Sequence, residues 1–243
     1  MGDLKDRRAR KKAQTREQIR GVAQRLFAER GFEAVTISDI ANEADVAVQT
    51  VFNHFATKEE LFFADRTDWV DAAAQAVRTR PEGVAPLTAL REHLMGTVRC
   101  YLRSLETPEV RLMTATLDAS PALTAYEREL HHEAVRRLSV ALIEACPEGD
   151  SAVTGAPPSV SLRTSASLTA ALWLAAVRAL VIEQRVELIE TVGAAELAVT
   201  VERLADQVLG QLAANPTILP CCPPAAAPSA EITGWPTLRR QAV

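Results

Sequence analysis

The chain has 243 residues, 48% of them hydrophobic and 24% charged, a balance that excludes disorder of the whole chain and leaves room for one or two cores. Its net charge of −4 excludes a generally basic nucleic-acid coat protein, but the charge is uneven. The first twenty residues carry eight Lys or Arg against three acids, while residues 61–243 sum to about −5, so a basic arm over 1–14 precedes an acidic body.

Glycine is sparse, and Ala, Leu, Arg, Glu and Val recur at three- and four-residue intervals, which predicts an all-α protein without an extended sheet. From Thr15, residues Ile19, Val22, Ala23, Leu26 and Phe27 share one helical face, and Gly31 with Phe32 supplies a stop. Thr36 is an N-cap with Asp39 three residues on, flanked by the apolar pair Val35 and Ile40. This second helix is short, because Glu43-Ala44-Asp45-Val46 turns the chain. A third helix from about Val48 to Phe55 can turn Val51, Phe52 and Phe55 inward and Gln49, Thr50, Asn53 and His54 outward. Thr57, with Glu60 at its third position, starts a fourth helix whose buried side runs through Leu61, Phe62, Trp69 and Val77.

Beyond Arg80 the breaks centre on prolines and predict helices near 87–105, 109–118, 122–145, 161–190 and 194–213, with a loop from Pro147 to Pro158. The stretch from Ala166 to Ile182 is apolar nearly all round, with Arg178 its only charge, and such a helix must be covered on every side. It is too short, too alanine-rich and too interrupted by Arg178 for a membrane span. With the near-heptad stripe Leu197, Val201, Leu204 and Val208 it forms a homodimer surface. Six of the thirteen prolines fall in residues 215–243, which read as a disordered tail.

Two short helices joined by a tight turn, the second with polar side chains outward and preceded by a basic arm, are the parts of a helix-turn-helix whose second helix enters the DNA major groove. The capped Thr36 end offers backbone N–H groups to a phosphate, Lys58 a second charge, and Lys11, Lys12 and Arg16 further phosphate contacts. The residues Val35-Thr36-Ile37-Ser38-Asp39-Ile40-Ala41, Val46, Thr50-Val51-Phe52-Asn53-His54-Phe55 and Lys58-Glu59-Glu60-Leu61 resemble the N-terminal domain of TetR/AcrR-family regulators over about 15–62. The resemblance implies that Thr36, Ala47, Val48, Gln49, Thr50, Phe52, His54 and Lys58 face DNA. It also implies a DNA-binding domain over 15–60, a larger helical effector-binding and dimerisation domain over 61–214, a palindromic operator and a repressor released by a small, mostly apolar ligand, with a weak likeness to the acyl-CoA-responsive branch; no apolar run follows the basic N-terminal residues, so a cytoplasmic location is expected.

Three departures matter. Asp45 stands where the family has Gly, and Asp tolerates the left-handed turn. Ala47 replaces a Ser or Thr cap, at about 1 kcal/mol. Phe52 replaces Tyr, removing a hydroxyl that would reach a phosphate and leaving its ring either at DNA or in the core.

Bulky groups beyond core needs (Phe62, Phe63, Trp69, Met95, Tyr101, Met113 and Trp173) make either a ligand pocket or a filled core, with His93, Cys100 and Arg178 as its polar candidates. Arg178 either anchors an acidic ligand or pairs with a carboxylate such as Glu183 or Glu202. His131 and His132, adjacent on a helix, read as surface or core histidines, and the four cysteines lack metal-type spacing, with Cys221 and Cys222 as incidental thiols. No nucleophile motif or glycine-rich phosphate loop occurs, so neither enzyme activity nor a cofactor is expected. The rival reading is a helical protein-interaction module with a degenerate head.

Overall fold

The computed structural model describes residues 2–146, 161–190 and 194–214, and every regular element among them is an α-helix. The tail over 215–243, with Cys221 and Cys222, and the loop over 147–160 lie outside the described residues.

Helix α1 runs from Gly2 to Arg30, so the basic arm is a continuation of the first helix rather than a separate lead-in. Lys, Arg, Ala and Gln are strong helix formers, and the Thr15 hydroxyl donates back to the Lys11 carbonyl at 3.0 Å instead of capping a new start. Gly31 stops the helix in a left-handed conformation, φ +81°, open to glycine without strain. Helix α2 (Ile37–Glu43) and α3 (Val48–Phe52) follow, joined through Asp45 at φ 51°.

The expected long fourth helix is two: α4 (Lys58–Phe62) and α5 (Trp69–Arg78). Between them Asp65 takes a left-handed φ of 60° while its carboxylate pairs with Arg20 of α1 at 2.9 Å, a tertiary tie that the 3.6-residue period does not register.

Prolines open the next three helices rather than only ending their predecessors: Pro86 in α6 (Pro86–Ser104), Pro108 in α7 (Pro108–Ala119) and Pro121 in α8 (Pro121–Glu144). Pro is well suited to the first turn, where its missing N–H has no intrahelical partner. The expected helix over 161–190 also divides, into α9 (Leu162–Val181) and α10 (Arg185–Glu190), because the buried Arg185 turns in to pair with Asp118 and Glu127. Helix α11 spans Ala194–Ala214.

Two apolar clusters hold the chain. One joins α1 to α4, adds Phe63 and Ala64, and takes in Leu117 of α7 and Leu123 of α8. The other lies among α5, α6, α8, α9, α10 and α11. The α7–α8 corner is further tied to the first unit where the Ser120 hydroxyl donates to Glu33.

Helix α9 is not covered on every side. Ala166, Ala170, Trp173 and Val181 are buried, whereas Leu168 and Leu172 are 51% and 44% exposed. At 20 residues it is long and apolar enough to cross a membrane, so length does not exclude a span, but its buried stripe packs among the other helices. The α11 stripe also divides: Val201 is buried, Leu197 and Val208 are half-buried, and only Leu204 is exposed.

Candidate functional site

At the start of α2 the Asp39 amide donates to the Thr36 hydroxyl oxygen at 3.1 Å, and the Thr36 amide donates to the Asp39 carboxylate at 2.8 Å. The Thr36 hydroxyl also donates to that carboxylate, so it is not free to reach a phosphate. These hydrogen bonds hold the Asp39 carboxyl below the usual carboxylate range. The turn then delivers α3 with Ala47 as an N-cap lacking a side-chain cap bond.

Val48, Gln49, Phe52 and Asn53 form the exposed face of α3, Thr50 is half-buried, and Val51 and Phe55 are buried. Phe52, at 45% exposure, is therefore a surface ring and not core. The Gln49 amide donates to Asn53 across one turn at 3.3 Å, leaving both side chains at the outer surface. His54 is half-buried, and burial, then the charges of Lys12 and Arg16, depress its pKa.

Among the basic residues, Lys11 and Lys12 are exposed. Arg16 is turned inward, donating to the His54 carbonyl with its guanidinium 4.0 Å above the Phe55 ring. Lys58 likewise points into the head, donating to the carbonyls of Phe32 at 2.8 Å and Val35 at 3.0 Å over the Phe32 ring. Both bind the head together rather than offering a charge to solvent.

Beneath the head lies a cavity of about 290 Å³ bounded by α4 to α10. Of the expected ligand-binding residues, Phe62, Trp69, His93, Met113 and Arg178 line it. Met95 and Trp173 do not; both are buried in the larger cluster, at 4% and 2% exposure, because the inward side of a helix serves core and cavity alike. Cys100 does not line the cavity and is an exposed free thiol, whereas the buried Cys146 is not a free thiol.

Arg178 has no carboxylate partner among the described residues: Glu202 is paired with Arg99, and Glu183 is exposed. The cavity also holds polar groups that the sequence reading left out, namely Arg66, Glu127, His131 and Arg185. His131 packs against Trp69 at 4.6 Å between ring centroids, and its Nε2 is buried without a hydrogen-bond partner among the described residues. Burial, then the charges of Arg178, Arg185 and His132, lowers its pKa to about 4, so the ring is neutral at pH 7. Burial lowers His93, and burial, opposed by Arg185 and reinforced by the charges of Glu127 and Asp118, pushes Tyr101 up to about 12. No group of three His, Cys, Asp or Glu side chains suited to a metal occurs among the described residues.

The lowered His131 pKa carries a stability prediction. The unfolded chain protonates this imidazole near 6.5 and the folded chain near 4, so its contribution is complete above pH 6.5 and declines as the pH falls between those values. His131→Phe, which keeps a ring against Trp69, should flatten that part of the stability–pH curve in urea titrations. An unchanged slope would show that another group sets it.

Residues 19–64 match the family described as bacterial regulatory proteins, tetR family. The chain is 36% identical over 95 residues to the HTH-type transcriptional regulator TcmR of Streptomyces glaucescens, covering 38% of this chain and 42% of that protein. It is 33% identical over 86 residues to HbdR of Aromatoleum sp. (strain CIB), covering 35% and 36%. It thus spans less than half the length of these curated relatives. Among solved structures, NalD, the secondary repressor of the MexAB-OprM multidrug efflux pump in Pseudomonas aeruginosa, shares the fold with a TM-score of 0.51 at 18% identity, over 83% of this chain and 95% of NalD.

Proposed function

The chain belongs to the tetR family of bacterial regulatory proteins, and on that premise we propose that it is a cytoplasmic, homodimeric repressor that releases a palindromic operator when a compact, mostly apolar molecule fills the cavity among α4 to α10. The observation that carries the DNA half of this reading is the outward face of α3. There Gln49 and Asn53 stand exposed beside a helical arm bearing the exposed Lys11 and Lys12, an amide reader next to charges that suit phosphates. Val48 and Phe52 add apolar surface that suits the methyl groups of thymine.

Gln49→Ala should weaken the preferred site by about 1–3 kcal/mol while leaving random DNA nearly untouched. Fluorescence anisotropy on both DNAs reads the difference, and equal loss on the two would remove Gln49 from base reading. Neutralising Lys12 should instead weaken all sequences alike.

The dimer half rests on the uncovered strip of α9. Leu168 and Leu172 leave apolar surface that a second copy would bury, and a two-fold pair suits an operator of two half-sites one DNA turn apart. Leu172→Glu should shift light scattering toward the monomer at micromolar concentration; a persistent dimer would locate the interface elsewhere.

Ligand release is supported by where α7 sits. Its Met113 and Leu117 line the cavity, and Leu117 is also part of the head's apolar cluster, so a ligand that displaces α7 acts on the head directly. An interaction module with a degenerate head remains the rival, and binding to DNA that is flat in both sequence and salt would favour it.

A further inference from the structure

The cavity's lining is unevenly equipped. Phe62, Phe63, Trp69 and Tyr101 supply aromatic rings, and Leu174 with Val177 supplies an aliphatic side. Glu127, the carboxylate among its lining residues, is already taken together with Asp118. Both Glu127 oxygens accept from Arg185 Nη1, at 3.0 and 3.2 Å, and Asp118 accepts from Arg185 Nε at 2.7 Å. What stays without a partner among the described residues is a cation, the Arg178 guanidinium, and a neutral ring nitrogen, His131 Nε2.

A half-buried guanidinium facing an apolar space without a counter-ion is poorly solvated. A carboxylate matches its fork of donors two at a time, and a neutral imidazole can add one N–H to the same group. The aromatic lining favours a ring, which meets the rings around it edge-on or offset, with a gain beyond area alone.

We infer that the cavity takes an aromatic carboxylate, its ring among Phe62, Trp69 and Tyr101 and its carboxylate on Arg178, with His131 as a second polar contact. The inference rests on the reading of this cavity as an effector site. Arg185 does not serve as the anchor, because its donors are held by Asp118 and Glu127.

The test is calorimetric titration of the full chain with four probes: naphthalenecarboxylate, neutral naphthalenemethanol, cationic naphthalenemethylamine and octanoate. The aromatic acid should bind about tenfold to a hundredfold more tightly than the alcohol, and more tightly than the amine or octanoate. Arg178→Gln should bring the acid to the level of the alcohol while leaving the alcohol unchanged, and His131→Phe should narrow the same gap. The inference falls if no probe binds, if the alcohol, amine or octanoate equals the acid, or if Arg178→Gln weakens acid and alcohol together. The comparison among probes on the unaltered chain decides the matter even if the variants fold poorly. DNA retention measured in parallel separates the two readings. An alcohol that binds and releases DNA as well as the acid sinks the acid preference alone, whereas an acid that binds as expected without affecting DNA sinks the effector reading alone.

Discussion

Arg185→Met should lower the free energy of unfolding by about 3–5 kcal/mol, the range for removing one partner from a buried ion pair. The Arg185 side chain is 6% exposed and bridges Asp118 on α7 to Glu127 on α8 from the first position of α10. Its loss leaves two carboxylates facing each other, the Glu127 side chain only 13% exposed, with no cation between them. The effect should be structural and reversible by chemistry. Adding Asp118→Asn and Glu127→Gln to Arg185→Met removes the stranded charges and should restore most of the loss, since neutral replacements of a buried ion cluster are close to neutral in stability. Urea unfolding of the single and triple variants reads both numbers. A single variant within 1 kcal/mol of the parent would mean that water reaches the two carboxylates freely.

Trp173→Ala should lower stability by about 3–5 kcal/mol as well, through a cavity rather than a charge. Trp173 is 2% exposed and sits in the larger cluster with Ala166 and Ala170 of its own helix, and it does not line the effector cavity. The sequence reading left this ring either in a ligand pocket or in a filled core, and in a pocket the same substitution would alter the response to an apolar effector while leaving DNA affinity roughly intact. Its place in the larger cluster favours the core: urea unfolding should show a large loss, and Trp173→Phe, which refills most of the space, a much smaller one. A variant as stable as the parent but altered in ligand binding would favour the pocket instead.

The head was legible because its signals are local. The Thr36–Asp39 capping box, the Asp45 turn and the Thr57 cap each act within a few residues, and all three occur where the spacing put them. What was missed is tertiary. Arg16 and Lys58 look like any basic residues in sequence, but each finds a backbone carbonyl and a ring 23 or more positions away. The break at Asp65 depends on Arg20, and the break before α10 depends on Asp118 and Glu127, partners that no helical period announces.

For the cavity, the sequence could say which side chains point inward but not where packing leaves space. Met95 and Trp173 satisfied the inward pattern and went to the core, while Phe62, Trp69 and Met113 satisfied the same pattern and line the void. His131 did carry a usable signal. It lies eight residues after Leu123 and seven before Leu138, both fully buried, so the α8 stripe runs through it. Reading it together with His132 as a surface or core histidine left that cavity position out.

The account stands or falls on selective DNA binding by the head. The direct measurement is to incubate the purified chain with fragmented genomic DNA from its own source at rising salt, recover what it retains, and sequence it. The account predicts a small set of enriched fragments sharing an inverted repeat, with half-sites about 34 Å or a multiple of it apart, and an enrichment that sharpens as salt strips the non-specific contacts. Retained DNA that covers the genome evenly at every salt concentration, or no retained DNA at all, would contradict it.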